Sequence, residues 1–363
     1  MAKIRVLVVE DSLTIRKRML EVLAADPDID IVGEADDGKR GIELCQQLRP
    51  DVVTLDMILP VMNGLAATEF IMAYCPTPIL IVSASTNRGD LFKTYDALAA
   101  GALDSLDKPK GNEQDDAWEK RLVAIVKRIS RIRVITHPRA RLGRIGQLST
   151  SPPHSKPKCH VVQNSESLRA VAIGVSTGGP GALIEILRGL PHGFPLPILL
   201  VIHVSKLFTP AFAEWLDGQS SMRVCYAVDG EPLPSFGQGR VLMAPPDRHL
   251  VICQGKLRLT QDRERHSCRP SIDIFFESFA EELGSAGAGC LLTGMGKDGA
   301  AGLLAIRQAG GWTIAQDEAT SVVFGMPREA ILLGAAMQIL ALDQIAPRLS
   351  MLAGAATLAG QPI

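Results

Sequence analysis

A serine flanked by glycines is the residue of this chain that most directly suggests chemistry. Ser176 lies in the sequence GVSTGGPG, residues 174–181, just after the apolar run Val171–Ile173. A strand that ends in such a turn exposes the serine hydroxyl at the carboxyl end of a sheet. The apolar spacing of residues 182–190 predicts a helix, and the free N–H groups at the start of this helix would point toward the same turn. These features predict a nucleophilic serine with an oxyanion site beside it.

A serine hydroxyl is a weak nucleophile, so it requires a base and a group that orients the base. His203 ends the apolar run Ile198–Ile202, and a strand end would place it at the same sheet edge as Ser176. His249, in a proline-rich turn, is the alternative base. Asp298 lies in a glycine-rich turn after another apolar run and could aim its carboxylate into the same cleft. We therefore predict that these residues form one hydrolytic site.

Polar residues also follow the short strands predicted in the first third of the chain, at residues 4–9, 52–55, 79–82 and 102–107. Helical patterns lie between or before these strands, at residues 13–25, 39–48, 64–74 and 88–100. This alternation predicts a parallel sheet with helices on both faces. Because ligands bind at the carboxyl ends of parallel strands, we expect one cluster there. Its members are Glu10, Asp11, Asp56, Ser83 and Lys108.

The chemistry of this cluster follows from its charges. Glu10, Asp11 and Asp56 would repel one another, and Mg²⁺, a hard cation with oxygen ligands, would relieve the repulsion. Such a metal also neutralises an incoming phosphoryl group, which the Asp56 carboxylate can accept as an acyl phosphate. Ser83 could hydrogen-bond the phosphoryl oxygens, and Lys108 could supply a counter-charge. The cluster therefore predicts a phosphorylation site in front of a hydrolase.

Two families combine these features. Residues 1 to about 125 resemble the receiver domain of two-component response regulators, which is a flavodoxin-like doubly wound fold. Residues from about 168 onward resemble the catalytic domain of chemotaxis protein-glutamate methylesterases, a second doubly wound parallel sheet. The motifs STGG at 176–179, GMGKDG at 294–299 and VFGMP at 323–327 carry the second resemblance. We therefore expect a receiver at 1–125, a linker at 126–167 and a catalytic domain at 168–363.

The resemblance implies roles for the catalytic residues. Ser176, His203 and Asp298 match the family's triad, and the backbone N–H of Met295 matches an oxyanion donor, with Thr177 as the second. The implied substrates are methyl-esterified glutamates of chemoreceptors, with release of methanol. Deamidation of receptor glutamines is implied by the same acyl chemistry. The esterase itself would need no cofactor.

The receiver resemblance implies how the enzyme is controlled. Asp56 would accept a phosphoryl group from a histidine kinase, with Mg²⁺ held by the acidic residues, and phosphorylation would activate the hydrolase. The Lys108–Pro109 bond would be cis. The chain departs from the receiver family at Ser105, where an aromatic residue is usual. It departs from the methylesterase family at residues 263–269, which include Ser267 and Cys268.

Bulk composition narrows the class of protein. The chain has 363 residues, which is long enough for two domains, and a formal charge of −1, which argues against nucleic acid or membrane surfaces as partners. No apolar run approaches the length of a membrane span, and the first strand begins too early for a signal peptide. The seven cysteines are scattered without a C-x-x-C pair. This usage is typical of reduced thiols and predicts a cytoplasmic protein.

Two other functions fit a receiver domain. A transcription regulator would carry a compact C-terminal helix-turn-helix domain. A non-catalytic signalling scaffold would keep the fold without the triad. The polar, proline-containing stretch from about residue 134 to 168 is typical of a mobile linker in any of these proteins.

Overall fold

The computed structural model describes residues 2–84, 87–109, 115–132, 134, 168–204, 208–209 and 211–359. Most of the predicted linker, residues 135–167, lies outside the described residues, together with His137, His154 and His160.

The N-terminal unit is a five-stranded parallel sheet with the strand order β2-β1-β3-β4-β5. Its strands are flanked by five helices, as the alternating pattern predicted. Along the chain the elements are β1 (Ile4–Val9), α1 (Leu13–Ala24), β2 (Ile29–Ala35), α2 (Gly38–Leu48), β3 (Val52–Leu55), α3 (Gly64–Tyr74), β4 (Ile79–Ser83), α4 (Arg88–Ala99), β5 (Asp104–Asp107) and α5 (Asp115–Ile129).

Two features of this unit differ from the sequence-based expectation. Strand β2 was not predicted, because it is an edge strand whose exposed and half-buried residues interrupt the apolar run. Helix α5 continues to Ile129, past the expected boundary at residue 125. Its side chains Val126 and Ile129 are buried in the core beneath β1 and β4. The end of α5 is therefore part of the N-terminal unit.

The C-terminal unit is a seven-stranded parallel sheet, ordered β14-β13-β12-β6-β7-β9-β8, with an antiparallel hairpin of β10 and β11 beside it. Its elements are β6 (Ala170–Val175), α6 (Gly179–Gly189), β7 (Ile198–Ile202), α7 (Phe212–Gln219), β8 (Arg223–Tyr226), β9 (Arg240–Met243), β10 (His249–Cys253), β11 (Lys256–Thr260), α8 (Ile272–Leu283), β12 (Gly287–Leu291), α9 (Ala300–Gln308), β13 (Trp312–Gln316), α10 (Met326–Leu332), β14 (Gln338–Leu340) and α11 (Leu342–Ala359).

The central strand β6 is buried on both faces. Val171, Ile173 and Val175 pack toward α6 and α11, whereas Ala170 and Ala172 pack toward α8 and α9. Burial on both faces explains why the parallel strands read as continuous apolar runs. Strands β7, β9 and β8 lie on one side of β6, and β12, β13 and β14 lie on the other. The strand order therefore reverses at β6, and doubly wound sheets bind ligands at this switch point.

This architecture bears on the predicted fold class and on the alternative of a DNA-binding C-terminal domain. Two doubly wound parallel sheets in one chain confirm the predicted α/β class. The described C-terminal residues form a sheet covered by helices instead of the compact helix-turn-helix domain that a DNA-binding output would carry. No helix within the described ranges has both the length and the apolar character needed to cross a bilayer.

The two units meet through helix α4. Tyr95 of α4 is fully buried in the core of the C-terminal unit, and its hydroxyl donates a hydrogen bond to the carbonyl of Phe208. Its ring packs edge-on against Phe212, with ring centroids 5.2 Å apart, and lies 5.4 Å from the ring of Trp215. The indole N–H of Trp215 donates to Asp96 Oδ1 at 2.9 Å. The contact thus combines aromatic packing with directed hydrogen bonds.

Candidate active site

Sheet register brings Ser176 and His203 to adjacent positions. In the β6–β7 pairing, Val175 lies opposite Ile202, so the next residue of each strand is Ser176 and His203. The pairing continues past the strand ends, because the His203 N–H donates to the Val175 carbonyl at 3.1 Å. Neighbouring strands lie about 5 Å apart, which places the two Cα atoms within side-chain reach.

The turn after β12 packs tightly against the serine. A side chain on Gly294 would come within 2.7 Å of Ser176 Cβ and 2.4 Å of Met326 Sδ, so only glycine fits there. Gly296 and Gly299 have φ angles of +89° and +90°, in the region that glycine adopts without strain. These glycines let the turn fold back over the sheet edge and carry Asp298 toward β7.

Asp298 is buried and orients His203. Its Oδ2 atom lies 3.0 Å from Nε2 of His203. A carboxylate only accepts hydrogen bonds, so Nε2 carries the hydrogen, and Nδ1 is the acceptor nitrogen of the neutral ring. Burial alone would raise the pKa of Asp298. The hydrogen bond and charge of His203, together with further donors, outweigh that effect and hold the pKa below its usual value.

The further donors come from the N-terminus of α8. Asp298 accepts hydrogen bonds from the Ser271 hydroxyl at 2.8 Å, from the Ile272 N–H at 2.8 Å and from the Asp273 N–H at 3.1 Å. A helix N-terminus stabilises negative charge, so this arrangement keeps Asp298 ionised. Ser271 was not predicted from the sequence as part of the site. The signal was present, because a serine directly before a helical pattern is a typical N-cap.

His249, the alternative base, has a different position. It is fully buried at the start of β10, and it is not among the described residues that line the cleft beside Ser176. Its Nδ1 accepts the Ser271 N–H at 3.1 Å, and its Nε2 lies 3.2 Å from the carbonyl of Arg263, to which it donates. Both ring nitrogens are therefore already hydrogen-bonded, one to Ser271 and the other to Arg263, and His203 is left as the histidine of the cleft.

The environment of His203 favours its protonated form. Burial lowers its pKa, but the hydrogen bonds to Asp298 and Cys268 and the neighbouring negative charges outweigh burial and raise the pKa to about 9. Within the described residues, Ser176 and His203 share the cleft without a direct hydrogen bond. Catalytic hydrogen bonds are often long before substrate binds, so this separation is compatible with proton transfer.

Backbone donors line the same cleft. Met295 and Thr177 both border it, and no hydrogen bond within the described part of the chain engages the backbone N–H of either residue. Free N–H groups beside a serine can stabilise the oxyanion of a tetrahedral intermediate. The cleft has a volume of about 560 Å³.

The predicted cluster of the N-terminal unit also comes together. Lys108 Nζ donates to Asp56 Oδ2 at 2.7 Å and to Glu10 Oε1 at 2.8 Å, and both carboxylates are buried. Glu10, Asp11 and Asp56 each place one carboxylate oxygen within 4.8 Å of the other two. Burial raises the pKa of Glu10 to about 7, against the opposing hydrogen bond from Lys108 and with the Asp56 charge adding to the rise.

Two buried polar atoms in this cluster have no partner among the described residues, Glu10 Oε2 and Ser83 Oγ. A buried oxygen without a hydrogen bond is costly, so each atom indicates a position for a missing partner. An all-oxygen set of acidic ligands fits a hard cation such as Mg²⁺.

The Lys108–Pro109 bond was expected to be cis, and it is not. Among the described residues, only Arg269–Pro270 is cis. The trans form of an X–Pro bond is favoured by only about 0.5–1 kcal/mol, so the isomer at a given proline depends on its surroundings in the fold.

Sequence comparisons agree with this geometry. The CheB methylesterase family profile matches residues 171–349, and the response regulator receiver domain profile matches residues 6–115. The chain is 40% identical to a protein-glutamate methylesterase/protein-glutamine glutaminase of Nitrosospira multiformis, over 96% of this chain and 97% of that protein. The chain belongs to the protein-glutamate methylesterase/protein-glutamine glutaminase family.

A second relative aligns over nearly the whole chain, and a solved structure aligns over about half of it. A Pseudomonas aeruginosa protein with the same name is 41% identical over 95% of this chain and 96% of its own. The crystal structure of the Thermotoga maritima CheB methylesterase catalytic domain is 39% identical, covers 51% of this chain and 99% of that one, and has a TM-score of 0.48.

The N-terminal unit forms part of the wall of the cleft that contains Ser176. Its residues Ser105, Arg121 and Arg128 line this cleft together with Ser176 and His203. Ser105, which replaces the usual aromatic residue, is buried within this wall. The cleft is therefore bounded by both units, and access to Ser176 depends on how they are arranged.

Proposed function

We propose that the chain hydrolyses methyl esters of glutamate side chains on chemoreceptors and deamidates receptor glutamines, under the control of phosphorylation at Asp56. The observation that carries the proposal is the placement of Ser176 at the switch point of the sheet, beside an imidazole oriented by the buried carboxylate of Asp298. Near-full-length relatives that bear this name support the choice of substrate.

The reaction begins with attack by the Ser176 hydroxyl on the ester carbonyl, while His203 Nδ1 takes the hydroxyl proton. The N–H groups of Met295 and Thr177 stabilise the oxyanion of the tetrahedral intermediate. His203 then returns the proton to the departing oxygen, which releases methanol and leaves an acyl-serine. Asp298 holds the imidazole and stabilises its charged form.

Water completes the cycle. His203 accepts a proton from water as it attacks the acyl-serine, and the collapse of the second intermediate restores the Ser176 hydroxyl and releases the glutamate carboxyl group. A glutamine substrate gives the same acyl-serine and releases ammonia instead of methanol. Both reactions therefore need only the residues of one cleft.

Control would come from the N-terminal unit. Glu10, Asp11 and Asp56 would hold Mg²⁺, which neutralises charge during phosphoryl transfer to a carboxylate. Lys108 would contact the new phosphoryl group, and the Ser83 hydroxyl, which has no partner among the described residues, would hydrogen-bond it. Added negative charge at Asp56 would reshape the face of the unit that closes the cleft and shift the equilibrium toward an open arrangement.

We also propose the partners and the compartment of the enzyme. The phosphodonor would be a histidine kinase, and the substrates would be methyl-accepting chemoreceptors, in the cytoplasm. The six described cysteines are all free thiols, which supports a reducing compartment. We place the receiver at residues 1–129, to include all of α5, followed by a linker and a catalytic unit from residue 168.

The test is methanol release from methylated receptor membranes, with and without a small phosphodonor. The full chain should release methanol faster after phosphorylation, and Ser176→Ala should lose about 10⁴–10⁶-fold in rate with its fold intact. Circular dichroism and phosphorylation of Asp56 in the variant would serve as controls for folding. Near-normal turnover by folded Ser176→Ala protein would contradict the proposal.

A further inference from the structure

A thiol lies beside the histidine of the cleft. Cys268 Sγ is 3.9 Å from Nδ1 of His203, on the side of the ring opposite Asp298. Cys268 is half-buried, is a free thiol and lines the cleft. The mechanism proposed above does not use it.

The segment that carries Cys268 is held in place. The Cys268 N–H donates to the Arg265 carbonyl at 2.9 Å, and the Arg265 N–H donates back at 3.3 Å. Arg269 Nη2 pairs with Asp247 Oδ1 at 2.7 Å. Between these anchors, His266 and Ser267 adopt φ angles of +53° and +60°. The thiol therefore has a defined position relative to the imidazole.

The geometry of the pair suits a metal ion. Zn²⁺ binds thiolate sulfur at about 2.3 Å and imidazole nitrogen at about 2.0–2.1 Å. With the observed separation of 3.9 Å, one ion bound to both atoms would make an S–Zn–N angle of roughly 125–130°. A shift of about 0.3–0.4 Å of the thiol toward the ring would bring this angle to the tetrahedral value. Sulfur and imidazole together select thiophilic cations over Mg²⁺ or Ca²⁺.

The carboxylate that would orient the histidine of such a site is already present. A metal-binding histidine usually donates its other ring N–H to a carboxylate, which fixes the ring. His203 Nε2 makes this bond with Asp298 at 3.0 Å. The Asp298 oxygens also accept three hydrogen bonds from the start of α8, so Asp298 would orient the ligand and not bind the ion. The remaining coordination positions would face the open cleft and water.

We propose that Cys268 Sγ and His203 Nδ1 form an inhibitory site for a thiophilic divalent cation such as Zn²⁺. Binding would release the thiol proton to solvent and occupy the Nδ1 lone pair. That lone pair is the one that must accept the Ser176 proton, so metal binding and hydrolysis exclude each other. The inhibitory consequence rests on the proposed hydrolase function, whereas the metal site itself does not.

The test measures metal binding and activity separately on the full chain, in anaerobic buffer without thiols. Cd²⁺ is the spectroscopic probe, because a Cd²⁺–thiolate bond gives ultraviolet charge-transfer absorption. We expect this absorption in the wild type and in Cys253→Ser, in which an exposed cysteine is replaced as the matched control. Cys268→Ser should lose it, and His203→Gln should weaken the apparent affinity at least about tenfold.

Inhibition by Zn²⁺ is then measured as methanol release, with each rate divided by the same variant's metal-free rate. Cys268→Ser should require at least about tenfold more Zn²⁺ for half-inhibition, and Cys253→Ser should match the wild type. Equal inhibition of the wild type and Cys268→Ser, or Cd²⁺ absorption that persists in Cys268→Ser, would overturn the site.

Ser176→Ala separates this proposal from the proposed function. The variant lacks the nucleophile but keeps Cys268 and His203, so Cd²⁺ absorption should remain. Absorption without any esterase activity in the wild type would refute the hydrolase and leave the metal site standing. Loss of absorption from folded Ser176→Ala would contradict a site built on Cys268 and His203 alone.

Discussion

His203 Nε2 lies 3.0 Å from Asp298 Oδ2, so the ring turns Nδ1 toward the rest of the cleft. In the serine protease arrangement the roles are reversed: Nδ1 bonds the aspartate, and Nε2 faces the serine. The difference follows from position, because Asp298 reaches the ring from the turn after β12. General-base catalysis by His203 would therefore use Nδ1, the nitrogen that faces Cys268.

The pH dependence of the hydrolase should reflect this environment. His203 acts as a base only when neutral, and Asp298 and Cys268 raise its pKa to about 9. The value of kcat/KM should therefore rise roughly tenfold per pH unit from neutral pH and level off near pH 9. Methanol release, followed at a series of pH values in the presence of a chelator, would measure this pH dependence. If the rise in kcat/KM has its midpoint at 6.5, the ordinary pKa of histidine, these neighbours do not raise the pKa of His203.

The two histidines should differ in reaction with a serine-directed phosphonate. His203→Gln should abolish labelling of Ser176, because the hydroxyl loses its proton acceptor. His249→Gln should keep labelling but destabilise the fold by about 1–3 kcal/mol, since the buried Ser271 N–H loses its acceptor. Intact mass and urea unfolding would measure the two effects. Labelling that survives in His203→Gln and disappears in His249→Gln would reverse the assignment.

Asp56 should accept a phosphoryl group only with Mg²⁺. The wild type, incubated with a small phosphodonor, should gain the mass of one HPO₃ group, and a chelator should prevent the gain. Asp56→Asn should show no adduct. Asp36→Asn, in which an exposed aspartate after β2 is replaced, is the matched control and should behave as the wild type. An adduct of unchanged yield in Asp56→Asn would place phosphorylation elsewhere.

Loosening the contact between the units should activate the unphosphorylated enzyme. Tyr95→Ala removes two aromatic contacts, with Phe212 and Trp215, that are worth about 0.5–1.5 kcal/mol each. The two contacts together amount to about 1–3 kcal/mol, and 1.4 kcal/mol corresponds to a tenfold change in an equilibrium. Basal methanol release should therefore rise roughly 5- to 150-fold. Phosphorylation should add less to this variant than to the wild type.

Tyr74→Ala is the control for that variant, because Tyr74 is an exposed tyrosine on α3 of the same unit. It should leave basal activity unchanged. The mass gain at Asp56 would show that the receiver of Tyr95→Ala is still folded. If that variant takes up phosphoryl yet has the basal rate of the wild type, the receiver does not act by closing the cleft.

The sequence by itself determined the polar residues that stand at the ends of strands. Parallel strands are buried on both faces, so each reads as a short apolar run, and the first polar residue after it marks the sheet edge. Ser176, His203 and Asp56 were predicted in this way. The half-exposed edge strand β2 lacks such a run, and it was missed for that reason.

Only the tertiary structure decided how side chains distant in the sequence meet. The choice of His203 over His249 depends on which ring nitrogens already form hydrogen bonds. The orientation of the Asp298 carboxylate depends on hydrogen bonds from the N-terminus of α8. The approach of Cys268 to His203 spans 65 residues and is set by the fold of a loop. Local patterns carry no information on such contacts, because hydrogen-bond partners are assigned by packing in three dimensions.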